Sequence, residues 1–395
     1  MRIVSLTVGL LCLAAVLLDA FQTIILPRRA TGPFRLTRIF HILTWHPWRF
    51  LFKRLRNARR RETAFSFYGP LSLILLLVFW AVAMLAGFGL IYYAIGSPID
   101  DTRQHPGLLS DLYVSGTAVF TLGPVDASPT TPAARWLMVV EAGTGFGFLA
   151  VIMGYFPVLY GAFSRREVSI ALLDARAGSP PTATELMRRH SHEGADEALA
   201  GLLTEWERWS AELLESHISF PLLCYFRSQH TNQSWISALT AILDTCSLLI
   251  AGVQGHEARQ AQLTFAMARH AMVDLSQIFS LKPMDEAPDR LPPRGYEQMY
   301  GLLCQSGVSM CRDGEAQERL REMRQLYEPY AEAMSRYFLM PLPPWIPDHA
   351  REDNWLAVSK VRTGAEGANK VTDRLISGEG HAHAIESLHD EGHEF

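Results

Sequence analysis

Apolar and polar positions come in blocks along this chain. Ile3 to Pro27 is apolar with one charge, Asp19, and is long enough for a transmembrane helix, which needs about 20 apolar residues. A secretory signal peptide fits less well: its n-region would hold only Arg2, and Leu18-Asp19-Ala20 is a poor small-x-small cleavage site. Asp19 is expected near the membrane–water interface, the alternative being that it faces another helix or a polar cavity. Thr63 to Ile99 carries no charge, and its centre, Leu71 to Ile95, predicts a second span. Trp136 to Phe163, with Glu141 as its only charge, predicts a third.

Between the second and third spans lies Ser110 to Pro129, SDLYVSGTAVFTLGPVDASP. Ser110 and Asp111 suit the first turn of a helix that would end near Phe120. About three turns cannot cross a bilayer. The segment is therefore read as a re-entrant helix followed by an extended loop, Thr121 to Asp126. Irregular backbone at membrane depth is tolerated only where protein buries it or it lines a watery cavity.

The second half, from Thr182 to Pro347, reads as all-helical. Leu199, Leu202, Leu203, Trp206, Trp209, Leu213 and Leu214 follow helical spacing on one face. Leu263 to Phe279 and Glu315 to Phe338 supply further amphipathic helices. Trp235 to Val253 is apolar with only Asp244 charged; its Ser and Thr content favours a buried core helix over a fourth span. Beyond Gly364 the tail is polar, Gly-rich and expected to be disordered. The predicted fold class is an all-α membrane protein: three transmembrane helices with a re-entrant helix and loop, plus a helical cytoplasmic domain. The expected divisions are 1–27, first span; 28–62, basic interfacial segment; 63–167, membrane module with its loop at 110–129; 168–181, linker; 182–347, helical domain; and 348–395, tail.

Charge gives the orientation. A net charge of −4 over 395 residues and an apolar fraction of 49% are unremarkable as averages and conceal the segregation. Residues 28–62 hold Arg28, Arg29, Arg35, Arg38, Arg49, Lys53, Arg54, Arg56, Arg59, Arg60 and Arg61 against one acid, Glu62. Placed between two spans, this stretch reads as a cytoplasmic segment touching membrane lipid rather than nucleic acid. The N-terminus is then outside and the C-terminal half cytoplasmic. Five cysteines, with no C-x-x-C pair, suit a reducing compartment.

Thr121, Leu122, Gly123 and Asp126, after a short helix, match a known pattern. The segment resembles the pore loop of the potassium-channel superfamily, where Thr-hydrophobic-Gly-aromatic-Gly-Asp follows a short pore helix. Pro124 and Val125 depart from it: Val125 is β-branched and resists positive φ, and Pro124 lacks an N–H. The whole chain also resembles uncharacterised bacterial membrane proteins described as two-pore-domain potassium-channel-like. The resemblance implies a homotetramer in the bacterial inner membrane, because one loop per chain needs four chains to close a ring. It implies a permeant monovalent cation, potassium by analogy, and gating through the cytoplasmic helices. Thr121, Leu122, Gly123, Pro124, Val125 and Asp126 would form the selectivity filter. Glu141 would brace the loop, and Gly145 lies where the family often places a hinge, close helix packing being the alternative. The rivals are a non-conducting anchored scaffold and a small-solute permease.

No enzyme is expected. There is no GxxxxGK[ST] loop, no G-x-S-x-G elbow and no supported dinucleotide fingerprint. His190-Ser191-His192 is too closely spaced for the i,i+4 zinc pair, and His381, His383, His389 and His393 lie in the polar tail. No cofactor or metal is expected. His217, His230, His256 and His270 are expected to be satisfied within helices.

Overall fold

The computed structural model describes residues 1–26, 36–97, 99–101, 107–123, 126–191, 195–229, 232–253, 258–284, 286–310 and 314–347. Arg28, Arg29, Arg35, Arg103, Pro124, Val125, His192, Glu193, His230, His256, Cys311 and the tail with its five histidines lie outside the described residues. The described elements are helical apart from one two-stranded ribbon. They form two compact units, 1–163 with 218–227, and 164–217 with 228–395.

In the first unit, α1 (Arg2–Ala20) ends in a π-helical turn, Phe21–Ile25. It packs along α3 (Ala58–Ala94), where a Cβ on Gly9 would lie 2.7 Å from Gly87 O. Only glycine permits that approach. Leu13, Val16, Leu76, Trp80, Met84 and Phe88 fill the seam. Helix α3 starts within the basic stretch rather than at Thr63, because Asn57 caps it by accepting from Arg59 N and Arg60 N at 3.0 and 3.2 Å. Between them, α2 (Leu36–Lys53) lies along the first half of α3, with Trp45 buried against Phe65, Tyr68 and Tyr225. Residues 218–227 belong here although the sequence places them in the helical half.

After α3, β1 (Ile99–Asp101) leads to α4 (Leu108–Val119), and β2 (Ala127–Pro129) leads to α5 (Pro132–Ala177). β1 and β2 pair antiparallel, Ile99 opposite Pro129 and Asp101 opposite Ala127. The segment read as a linker, 168–181, is helical as far as Ala177. With no Gly or Pro between 168 and 177, nothing stops α5 before Gly178, which takes φ +83.

The second unit is built around α8 (Trp235–Gly252). Packed against it are α6 (Ala183–Arg189), α9 (Ala258–Ile278), α11 (Gly314–Gln325) and α12 (Glu328–Phe338). Helices α7 (Ala195–Ser219) and α10 (Pro293–Gln305) complete it. Among the described residues, four helical stretches are long and apolar enough to cross a membrane: Arg2–Ile25, Arg59–Ala94, Pro132–Ala177 and Trp235–Gly252. The last is 89% buried over its apolar window, against 11% for Pro132–Ala177. Its one charge, Asp244, meets Arg290 Nη2 and Nη1 at 2.6 and 3.1 Å and accepts from Tyr327 Oη at 2.5 Å. A helix buried on every side, with its acid paired by arginine, is a core helix.

Candidate functional site

The site is assembled from the bottom of a closed excursion. The β1–β2 ribbon joins the chain leaving α3 to the chain entering α5, so everything from 102 to 126 starts and finishes at one place. Within it, α4 has 12 residues and is about 18 Å long. Asp111, in its first turn, favours that end of the helix dipole and accepts from Ser97 Oγ at 2.7 Å.

The end of α4 differs from the extended loop read from the sequence. Thr121 takes φ +57, Thr121 N donates to Ala118 O at 2.9 Å, and Leu122 N donates to Thr117 O at 2.8 Å. These are the paired bonds of a Schellman stop, ordinarily built on glycine. A β-branched residue in the left-handed region costs on the order of 1–3 kcal/mol. The chain therefore turns at Thr121, leaving Leu122 71% exposed and Gly123, at φ +78, with open space around it. Asp126 is half-buried and leads into β2.

Glu141 and Gly145, one turn apart on α5, both face α4. Glu141 is fully buried and its Oε1 lies 2.5 Å from Ser115 Oγ, which is also 2.9 Å from Leu85 O. Ser115 Oγ donates to Glu141 Oε1 and also lies within reach of Leu85 O, so it ties α4 to both α5 and α3. A Cβ on Gly145 would lie 2.1 Å from Val119 O, so Gly145 is a packing contact with the last turn of α4. Gly143 and Gly147, the pair with small-xxx-small spacing, face open space instead. Ser115 went unread in the sequence; its only signal is its place one turn after Asp111.

Asp19 joins α1 to two neighbouring helices. It is buried in protein, as in the alternative that it faces another helix, and it accepts from Thr37 N at 3.0 Å, Thr37 Oγ1 at 2.6 Å and Trp80 Nε1 at 2.9 Å. Thr37 N is one of the free donors at the start of α2, so α1 supplies the cap of its neighbour.

Among the histidines, His217 is buried in the second unit. Its Nδ1 bonds Leu213 O at 2.8 Å and its Nε2 meets Arg166 Nη1 at 3.1 Å. Burial first, and Arg166 second, hold its pKa well below the usual histidine value. His190 Nδ1 bonds Leu186 O at 2.8 Å, and His270 lies 3.6 Å from Asp274. A cleft of about 500 Å³ beside α10 and α11 is lined by charged side chains, but Arg290 and Arg324 there are engaged by Asp244, Asp289 and Glu328.

Long apolar helices with little burial, a carboxylate capped between two of them and a short helix closed at its base belong to a helical membrane protein. The chain is similar to the uncharacterized membrane protein YdjJ of Bacillus subtilis (strain 168), at 24% identity over 306 residues, covering 76% of this chain and 84% of that protein. No family model matches the chain, and no solved structure matches it.

Proposed function

We propose that the protein is an oligomeric cation channel of the inner membrane. In this reading α1, α3 and α5 cross the bilayer, α8 does not, and α4 with its loop re-enters. Four chains bring their loops together on one axis, and the C-terminal half lies in the cytoplasm and gates the pore. The observation that carries it is the strained left-handed turn at Thr121, at the end of a helix too short to span, in an excursion closed by the β1–β2 ribbon. Strained backbone is kept where function requires it. The thinly buried surface of α5 favours contact with other copies or with lipid. Glu141 and Gly145 hold α4 from behind, and Asp126 charges or braces the outer mouth.

A second reading is a non-conducting anchor for the helical domain. Leu122, projecting from a helix stop where a filter would present carbonyls, favours it.

Recording from purified protein in planar bilayers with asymmetric potassium and sodium chloride separates the two. Cation-selective unitary currents are expected. The variant Pro124→Tyr/Val125→Gly is expected to sharpen potassium selectivity. Silence from both proteins, and from a chain lacking the cytoplasmic half, overturns the channel in favour of the anchor.

A further inference from the structure

We infer that the α2–α3 hairpin is a docking surface for anionic phospholipid, with headgroups at its tip and acyl chains along its flank. This holds whether or not the loop conducts.

The hairpin is defined by contacts along its length. Phe40 meets Phe79 at 5.8 Å, Thr44 Oγ1 meets Tyr68 Oη at 3.0 Å, and Trp48 Nε1 donates to Ala64 O at 3.2 Å. These pairings run α2 antiparallel to the first half of α3. The inward face of α2 is thus occupied, and Asp19 ties down its start. The outward face should be polar if it met water. Instead Ile39, Ile42 and Leu43, in i, i+3, i+4 order, and Phe50 and Leu51 two turns further on, past exposed His46 and Pro47, are all exposed, between 43% and 67%. Apolar side chains left uncovered on a helix that runs alongside a membrane-crossing helix offer a flank for acyl chains rather than for water.

The charge is gathered at the other end of the same object. Lys53, Arg54, Arg56, Arg59, Arg60 and Arg61 are exposed where α2 turns into α3. Glu62, the one acid of residues 28–62, is taken by Arg227, with Nη1 3.0 Å from Oε1. Arg54 lies 4.1 Å over the Phe50 ring, at the junction of cationic tip and apolar stripe. A free phosphate or a nucleic acid would match the cations but leave the stripe in water. A lipid with an anionic head and two acyl chains matches both.

The test counts lipids on the full-length protein. Protein extracted from mixed bilayers of phosphatidylglycerol and phosphatidylcholine is stripped stepwise, and the lipids retained per chain are counted by native mass spectrometry. Wild type should retain phosphatidylglycerol well above its share of the mixture, and less so in high salt. The variant Arg56→Gln/Arg59→Gln/Arg60→Gln should lose this preference, roughly three- to fivefold per arginine. Equal retention of the two lipids by wild type overturns the inference without reference to any variant. So does a preference unchanged in the triple variant, or one abolished by millimolar inorganic phosphate. Chain-to-chain disulfide formation through Leu43→Cys in native membranes would assign the stripe to a second copy and overturn it equally.

Discussion

Gly145 sets how closely α5 can approach α4. Any side chain there meets Val119 O, a backbone atom at the end of a capped helix that cannot rotate aside. Gly145→Ala should cost about 1–3 kcal/mol, as overpacking of a close-packed interior does, while Gly143→Ala, in open space, should be nearly neutral. Thermal unfolding in detergent reads the difference directly. A hinge role would give the reverse signature, altered gating with unchanged stability. His217 carries a different kind of prediction. Its imidazole is neutral in the native state, with Nε2 accepting from Arg166. The unfolded chain takes up a proton below about pH 6.5, and the native chain resists it. Stability contributed by this group is therefore present above that pH and lost as pH falls, by at most about 1.4 kcal/mol per pH unit. The melting temperature of wild type should drop more steeply between about pH 7.5 and 5.5 than that of His217→Gln. Parallel profiles would remove His217 as the cause.

At the scale of elements, α8 shows how one charge decides what a helix is for. By length and hydropathy it could cross a membrane; by burial it is the axis of the second unit. Asp244 is tolerable there because Arg290 meets it with two nitrogens and Tyr327 donates to it. Asp244→Ala removes two of the bonds to the buried guanidinium, leaving Arg290 with Glu328 and Pro343 O, and takes away the acceptor of Tyr327 Oη. The expected loss is about 3 kcal/mol, near the lower end for breaking a buried pair. Urea unfolding followed by tryptophan fluorescence would measure it, and a loss below about 1 kcal/mol would mean the pair is solvated after all. The short helix α4 is the opposite case, an element defined by its ends. The sequence put its start at Ser110 and Asp111, whereas the helix begins two residues earlier, at Leu108, with Asp111 in its first turn; Phe120 marks its C-cap, as the sequence predicts. The stop itself could not be read, because Thr121 is a poor residue for the left-handed turn it makes.

Across the whole molecule, what was legible follows from how far apart the interacting residues are. The apolar runs of α1, α3 and α5 need only their own composition to be recognised. The basic stretch was visible as charge, but not as a hairpin, because its pairing depends on rings such as Trp45 and Tyr68 meeting across a turn. Residues 218–227 look like part of the helical half until Tyr225 is seen against Trp45 and Phe226 in the space that Gly69 leaves. The partners of Asp19 were equally hidden, lying 18 and 61 positions further on. That last separation bears on synthesis. Trp80 is made 61 residues after Asp19, so the carboxylate cannot reach its full set of donors until most of α3 has been synthesised, and the first helix is held in its final place only once the third is there to hold it.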